Sequence, residues 1–298
     1  MIIITDNKKL SKRIKELSFK VDDLNLDDVE MAIASRAFAK LLLAESREKL
    51  KVIQLTSAGF EGVDTQLAKE RGITICNAAN VYNVGMAEFV VYGMLMRAKR
   101  YNHSIKNRCL RPFRNYHYIT ELSGKTVGIL GAGNIGQQIA KRLEAFDMHV
   151  LGYDLKTDDR PHFERVYNQG NLQEFLAGCD YIVNCMPLFK STEGMLNKSW
   201  FDQMKDDVTI VNVGRKKIIC DSDLISFLKS HKEATAILDM FEKIPNPITN
   251  PYRRLSNVLV LPGVTAISQE IDSKLENLCR TNIRLFEEGK PLLNIINR

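Results

Sequence analysis

The sequence predicts an α/β fold with two doubly wound parallel-sheet domains, and three observations support this. The chain has 298 residues, more than the roughly 100–200 of a typical single domain. Short β-rich runs alternate with helix-length amphipathic segments, as expected where crossover helices link parallel strands. A basic, aromatic connector from Arg108 to Tyr118 divides these runs into two series.

The first series predicts a small α/β domain. Its strand candidates, each followed by polar residues and a turn or helix, are Ile2–Thr5, Met31–Ala34, Val52–Thr56 and Ile73–Cys76. From Gly85 to about Asn107, apolar residues recur at helical spacing. This long helix is expected to lead the chain out of the first domain.

The second series predicts a complete doubly wound domain. Its strand candidates are Thr126–Leu130, His149–Tyr153, Tyr181–Cys185, Val208–Val213, Thr235–Leu238 and Val258–Leu261. After Thr265, apolar residues at helical spacing continue to Leu285, and Gly289-Lys290-Pro291 would end this helix. The last helix is expected to carry the chain back to the first domain.

Composition narrows the class of protein. Lys and Arg exceed Asp and Glu by 42 to 36, but they are scattered, which argues against nucleic-acid binding. This charge suits solubility in general, and it would also attract small anionic ligands. The six cysteines form no C-x-x-C pair, so reduced thiols and no metal site are expected. Without a signal-like start or an apolar run of about 18 residues, no membrane association and a cytoplasmic location are expected.

A glycine-rich loop follows the first strand of the second series. The segment Gly131-Ala132-Gly133-Asn134-Ile135-Gly136 opens a helix predicted over Gln137–Phe146. Gly131 would allow the tight turn, Gly133 the approach of a pyrophosphate, and Gly136 close packing of helix on strand. The helix N-terminus would supply N–H groups to the phosphates, including those of Asn134 and Ile135. This motif predicts a dinucleotide site.

An acidic residue supports the same interpretation. The strand His149–Tyr153 ends in Asp154, close to the offset of about 20 residues at which a carboxylate binds the ribose. Asp154 would accept hydrogen bonds from both ribose hydroxyls and repel a 2′-phosphate, which favours NAD over NADP. Lys156 weakens that preference. The alternative is a glycine turn followed by an ordinary surface aspartate.

Further segments occur in a characteristic order: SAGFEGVD at 57–64, AEF at 87–89, LSGKTVGI at 122–129, CMPL at 185–188, NVGR at 212–215 and LDMF at 238–241. With the glycine loop, they resemble the D-2-hydroxyacid dehydrogenases, such as phosphoglycerate, glycerate and D-lactate dehydrogenases, over nearly the whole chain. The resemblance implies a Rossmann cofactor domain, 97–283, inserted into a flavodoxin-like substrate domain, 1–96 plus 284–298. It also implies hydride transfer between NAD(H) and a small 2-hydroxy or 2-oxo acid, and a homodimer formed through the cofactor domains.

The resemblance implies roles for individual residues. Backbone N–H groups around Ala58 and Gly59 would bind the substrate carboxylate, and Arg215 would be the catalytic arginine that orients the substrate. Asp239 would contact the nicotinamide carboxamide. The remaining implied cofactor contacts are Met186, Pro187, Thr192, Val213 and Gly214. Each of the first three roles has a structural alternative, namely a plain turn, a surface arginine and an aspartate that caps a turn.

The chain departs from the family at the proton donor. The family uses a His held by a Glu, but Gly263 and Ile244 occupy those positions. Substitute acids would be Lys216, Lys217, a tyrosine, His103 or His117, or a water molecule, whereas His149, His162 and His231 have no motif support. A positioned acid contributes about 10²–10⁴-fold to rate. Two hypotheses follow: an NAD-dependent 2-hydroxyacid dehydrogenase, or a catalytically degenerate NAD(H)-binding sensor or interaction protein of the same fold.

Overall fold

The computed structural model describes residues 1–19, 26–100, 119–239, 250–261 and 263–297. The described chain divides into two compact units, one formed by Met1–Tyr82 with Ile267–Arg298 and the other by Asn83–Ala266. The predicted connector, Arg108 to Tyr118, lies outside the described residues, as do His103, His117 and Ile244.

The first unit contains β1 (Ile3–Thr5), α1 (Lys8–Arg13), β2 (Leu17–Phe19), β3 (Met31–Ala34), α2 (Arg36–Ala44), β4 (Val52–Leu55), α3 (Thr65–Glu70) and β5 (Thr74–Cys76). The second contains α4 (Asn83–Ala98), β6 (Thr126–Leu130), α5 (Asn134–Glu144), β7 (His149–Tyr153), β8 (Arg165–Tyr167), α6 (Leu172–Gly178), β9 (Tyr181–Asn184), α7 (Lys198–Phe201), β10 (Thr209–Asn212), α8 (Asp221–Ser230), β11 (Thr235–Leu238) and β12 (Val258–Val260). The last helix, α9 (Ile271–Glu287), returns to the first unit.

The sheet of the first unit is parallel and has the order β2-β1-β3-β4-β5, the flavodoxin-like arrangement. Neighbouring strand residues point to opposite faces, so each face has its own core. Ile4 and Ile53 pack with α2 on one face, whereas Ile3 and Met31 pack with α1 and α9 on the other. Burial on both faces explains why these strands have continuous apolar sequences.

The sheet of the second unit is also parallel, with the order β12-β11-β10-β9-β6-β7-β8. The chain runs outward from β6 through β7 and β8, then returns to β9 and runs outward on the other side. The strand order therefore reverses between β6 and β9. In open α/β sheets, ligands bind at the carboxyl ends of the strands at such a switch point.

The predicted fold class is confirmed, and the ten predicted strands are found to within one or two residues at their ends. Two strands were not predicted, β2 and β8, because each of these short edge strands includes a polar residue and forms no continuous apolar run. The helix predicted from Gly85 ends at Ala98 within the described residues, and the helix predicted from Gln137 begins at Asn134. Within the described ranges, no helix is both long and apolar enough to cross a membrane.

The two units divide the chain at different residues from the predicted domains, 1–96 with 284–298 and 97–283. Helix α4 packs into the second unit, where Arg97 Nε donates to Thr235 Oγ1 at 2.7 Å. Helix α9 packs into the first unit, where its Leu275 and Cys279 join a core cluster with Ile3. Apolar periodicity identifies both helices but does not say which sheet they cover.

Candidate functional site

The glycine loop lies at the switch point of the second unit, directly after β6. Gly131 has φ +94°, a conformation that side chains rarely allow. A Cβ on Gly136 would lie 2.2 Å from the Gly131 carbonyl oxygen, so α5 can approach β6 only with glycine there. A Cβ on Gly133 would meet nothing within 4 Å, so the space above this residue is open. The three glycines thus have the three different environments that a diphosphate loop requires.

The N-terminus of α5 faces this open space. Gly133 is its N-cap residue and no side chain caps the helix. The first N–H groups of a helix have no intrahelical partner, and together with the helix dipole they favour an anion. Among these are the N–H groups of Asn134 and Ile135, which the sequence predicts to contact a phosphate. The loop can therefore bind a diphosphate through its backbone alone.

Asp154 follows β7 and contacts the glycine loop. Its Oδ2 accepts a hydrogen bond from Ala132 N at 2.9 Å and another from Arg160 Nη1 at 3.0 Å. Its Oδ1 accepts from Leu155 N at 2.8 Å. The carboxylate is half-buried, with 24% of the side chain exposed, so it can still be reached by a ligand. The predicted ribose acid and the predicted phosphate loop are thus hydrogen-bonded to each other.

Two buried asparagines connect the loops that follow β9 and β10. Asn184 Nδ2 donates to Asn212 Oδ1 at 2.8 Å, and both side chains are almost fully buried. Asn184 Oδ1 accepts from Met186 N, and Asn212 Oδ1 accepts from Gly214 N, both at 3.2 Å. Buried amides are rarely left unpaired, so this pair fixes both loops. Asn184 was not singled out from the sequence, and Asn212 only as the first residue of the segment NVGR, although each lies near the end of a predicted strand.

The remaining predicted cofactor residues of these loops lie near the same strand ends. Met186 is buried and Pro187 is exposed. Thr192 Oγ1 donates to Pro187 O at 2.8 Å and accepts from Phe189 N at 2.8 Å, which closes the turn between them. A Cβ on Gly214 would lie 3.0 Å from Met186 O, so Gly214 allows the two loops to approach. Val213 is fully buried, and its N–H donates to Asn184 O at 3.1 Å.

Asp239 follows β11 and is only 1% exposed. Its carboxylate accepts hydrogen bonds from Val264 N at 2.9 Å and from Thr265 N and Oγ1 at 3.3 and 2.5 Å. In the structure Asp239 therefore stabilises the turn at 263–265, which is the structural alternative raised for it from the sequence. A contact with a nicotinamide carboxamide stays a prediction.

In the first unit, the loop after β4 contains Ala58 and Gly59. Asn77 Nδ2 donates to Ala58 O at 2.7 Å, and Ser57 Oγ donates to Gly59 O at 2.6 Å. Among the described residues, the N–H groups of Ala58 and Gly59 donate to no protein acceptor. The carbonyl groups of Ala58 and Gly59 are therefore held by hydrogen bonds, whereas their N–H groups remain available to bind an anion.

Arg215 follows β10 in the second unit and is half-buried. The next residue, Lys216, forms an ion pair with Asp221 at 2.9 Å, and Lys217 Nζ lies 3.8 Å from Glu193 Oε1. Of the two lysines suggested as substitute acids, Lys216 is thus paired with a carboxylate, and Lys217 is exposed and only lies near one. Arg215 itself keeps a half-buried position from which its guanidinium could contact a ligand.

The described histidines also have carboxylate partners. His149 pairs with Glu164, His162 with Glu144 and His231 with Asp206, at 2.8, 2.6 and 3.3 Å. Gly263, at the position of the family's histidine, has φ +73°. That backbone favours glycine and strains most side chains. His149 begins β7, His162 pairs with the last residue of α5, and His231 follows the end of α8, so none of the described histidines lies at the carboxyl ends of the strands where the site is expected.

Neither three buried cysteines nor a metal cluster adds a second site among the described residues. Burial raises the pKa of the Cys76, Cys179 and Cys279 thiols to about 12, so they are unreactive near neutral pH. In the described ranges no cluster of His, Cys, Asp or Glu could hold a metal ion.

Comparison with known proteins agrees with this geometry. Residues 89–264 match the family model of the D-isomer specific 2-hydroxyacid dehydrogenase NAD binding domain. The hydroxypyruvate reductase of Blautia hydrogenotrophica is 30% identical over 265 residues, which cover 85% of this chain and 80% of the relative. A crystal structure of a D-isomer specific 2-hydroxyacid dehydrogenase family protein from Aeromonas salmonicida subsp. salmonicida superimposes with a TM-score of 0.81 and 28% identity, covering 99% of this chain and 98% of that one.

The D-3-phosphoglycerate dehydrogenase of Archaeoglobus fulgidus is 30% identical over 254 residues, which cover 85% of this chain. They cover 48% of that relative, so this chain spans about half the length of the phosphoglycerate dehydrogenase it matches.

Proposed function

Because the chain belongs to the D-isomer specific 2-hydroxyacid dehydrogenase family, we propose that it is an NAD-dependent oxidoreductase that transfers a hydride between NAD(H) and a small 2-hydroxy or 2-oxo acid. The observation that carries the proposal is the glycine loop, with open space over Gly133 and contact between Asp154 and Ala132 N. On this proposal, the unit Asn83–Ala266 binds the cofactor and the unit formed by both chain ends binds the acid.

The chain's own residues fit the cofactor. The backbone N–H groups at the start of α5 would hold the diphosphate, and the Asp154 carboxylate would hold the adenosine ribose. The loops fixed by Asn184 and Asn212 would line the nicotinamide side through Met186, Pro187, Val213 and Gly214. When bound, the nicotinamide supplies the hydride acceptor or donor.

The substrate acid would be held by two kinds of group. The N–H groups of Ala58 and Gly59 would bind its carboxylate, a role that needs no side chain. Arg215 would donate from its planar guanidinium to the carboxylate and the keto oxygen, which orients the carbonyl and stabilises charge that develops on its oxygen. Arg215 is therefore the residue assigned the catalytic role.

The proton on the substrate oxygen has to come from a different source than in the family pattern. Gly263 has no side chain, the described histidines lie away from the carboxyl ends of the strands, and Lys216 is paired with Asp221. On this proposal the proton comes from a water-borne acid, with His103 and His117, which lie outside the described residues, as the alternative side-chain donors. A water-borne acid is less effective than a positioned one, so a low turnover rate follows.

The glycine at position 263, where the family has its histidine, also favours a second candidate function. If no acid reaches the substrate oxygen, the chain binds NAD(H) without turnover and acts as a sensor or an interaction protein. Gly263, with its φ of +73°, supports this candidate because the segment is built for glycine at the histidine's position.

An assay of NADH oxidation with glyoxylate, hydroxypyruvate, pyruvate and phosphohydroxypyruvate separates the two. The first candidate expects turnover with at least one acid and its loss in Arg215→Ala, while NADH fluorescence titration shows unchanged binding. Tight NADH binding with no turnover across the panel would establish the second. Absence of NADH binding would overturn both.

A homodimer through the cofactor-binding unit and a cytoplasmic location complete the proposal. The dimer follows from the family and predicts twice the chain mass in light scattering at micromolar concentration. A monomer at that concentration would contradict it.

A further inference from the structure

Arg160 lies on the segment after β7 and contacts both halves of the candidate cofactor site. Its Nη1 donates to the Ala132 carbonyl at 2.7 Å and to Asp154 Oδ2 at 3.0 Å. Its Nη2 donates to Lys156 O at 3.3 Å and to Asp158 Oδ1 at 3.2 Å. Only 12% of the side chain is exposed. The arginine thus fastens the segment after β7 onto the glycine loop.

These contacts determine what Asp154 can still bind. A carboxylate offers about four acceptor positions. Both positions on Oδ2 are used, by Ala132 N and Arg160, and one position on Oδ1 is used by Leu155 N. One position is left, on Oδ1, so Asp154 can accept from one ribose hydroxyl and not, as the sequence predicted, from both. Arg160 therefore fixes which oxygen of Asp154 faces a ligand.

The contacts also determine what Arg160 can still bind. An arginine near the ribose acid is the usual means of accepting a 2′-phosphate. Here both terminal nitrogens are taken up by two carboxylates and two carbonyls. The hydrogen bond from Arg160 also lowers the pKa of the Asp158 carboxyl, which keeps that neighbour negatively charged. A 2′-phosphate would be repelled by the carboxylates of Asp154 and Asp158, and the charge of Arg160 is already neutralised by these two residues.

We propose that Arg160 is a positioning residue that determines cofactor specificity. It holds Asp154 against the glycine loop with Oδ1 directed to the ribose, and its pairing with Asp154 and Asp158 withholds it from a 2′-phosphate, so the site selects NAD(H) over NADP(H). This inference rests on the proposed cofactor site.

The test is a titration of the intact chain with NADH and, separately, with NADPH, in which the fluorescence of the dinucleotide reports binding. The wild-type protein is expected to bind NADH at least about 100-fold more tightly than NADPH. Arg160→Ala should raise the Kd for NADH about tenfold, the size of one lost charge-assisted hydrogen bond, without improving NADPH binding. Arg160→Lys should restore part of the loss, because one ammonium can donate to Asp154 and to Ala132 O as Nη1 does, but it cannot also reach Lys156 O and Asp158, the acceptors of Nη2.

A double-mutant cycle separates positioning from a general structural effect. If Arg160 acts through Asp154, then Arg160→Ala in an Asp154→Asn background should change the Kd for NADH less than twofold. The matched control is Arg165→Ala, which removes an arginine that pairs instead with Glu174. This control should leave both Kd values unchanged. Thermal unfolding verifies that each variant is folded.

Three results would overturn the inference. In the first, Arg160→Ala binds NADH as tightly as the wild type. In the second, the wild type binds NADPH as well as NADH and loses NADPH in Arg160→Ala, which would make Arg160 a phosphate ligand. In the third, Arg160→Ala raises the Kd for NADH by the same factor in the wild-type and the Asp154→Asn backgrounds. A folded wild-type protein that binds neither dinucleotide would instead overturn the proposed function itself.

Discussion

The environments of Gly133 and Gly136 predict opposite effects for the same substitution, glycine to alanine. A Cβ on Gly136 would lie 2.2 Å from the carbonyl oxygen of Gly131. That oxygen belongs to the backbone and cannot move away by a change of rotamer. A Cβ on Gly133 would meet nothing within 4 Å. One substitution should therefore damage the fold, and the other should block only the space where a diphosphate would lie.

The magnitudes follow from these distances. Overpacking costs about 1–3 kcal/mol, and alanine in a helix gains about 1 kcal/mol over glycine. Because the contact at Gly136 is so short, we expect the upper part of that range and a net loss of stability for Gly136→Ala. A loss of 1 kcal/mol lowers the unfolding temperature by roughly 2–4 °C in a domain of this size. Gly133→Ala replaces a helix N-cap residue and should cost less than about 1 kcal/mol.

Thermal unfolding and NADH titration of the same samples test this. Gly133→Ala should unfold within a few degrees of the wild type but bind NADH at least about tenfold more weakly, a difference of about 1.4 kcal/mol. Gly136→Ala should unfold at a clearly lower temperature. The matched control is Gly178→Ala at the end of α6, where a Cβ also meets nothing within 4 Å. This control should gain up to about 1 kcal/mol in stability and leave NADH binding unchanged.

Two outcomes would contradict the roles assigned to Gly133 and Gly136. If Gly133→Ala binds NADH as the wild type does, the open space over Gly133 is not where the diphosphate lies. If Gly136→Ala is as stable as Gly178→Ala, the contact between α5 and β6 does not require glycine.

Three further predictions concern turnover, packing and pH. Arg215→Ala should abolish NADH oxidation with every active 2-oxo acid while NADH titration shows the wild-type Kd; weaker NADH binding would place Arg215 in the cofactor site instead. Asn184→Ala should lower the free energy of unfolding in urea by about 1–3 kcal/mol, because Met186 N loses its acceptor in a buried site; an unchanged midpoint would mean that the asparagine pair does not fix the loops. Burial raises the pKa of Cys76, Cys179 and Cys279 from 9.0 to about 12, so the unfolded chain releases protons first, and stability should fall as pH rises from 9 towards 12; equal unfolding free energies at pH 8 and 10.5 would contradict this.

Much of the fold could be predicted from the sequence because its signals are local. Strands buried on both faces, such as β4 and β9, have continuous apolar sequences that stand out against polar turns. The glycine spacing at 131–136 and the aspartate at 154 identify a dinucleotide loop, because backbone access at fixed positions needs glycine whatever surrounds it. The edge strands β2 (LSF) and β8 (RVY) each include a polar residue and gave no such signal.

The two parallel sheets, the glycine loop, the acid after β7 and the departure at Gly263 from the family pattern could therefore be predicted from the residues alone. The partners of these residues are known only from the folded chain. The fold places Arg160 on Asp154, Asn184 on Asn212 and Asp239 on Thr265, contacts between residues as little as 6 and as many as 28 positions apart. Such pairings depend on which strands become neighbours and where each loop turns, so neither residue of a pair carries a sign of the other in its local sequence.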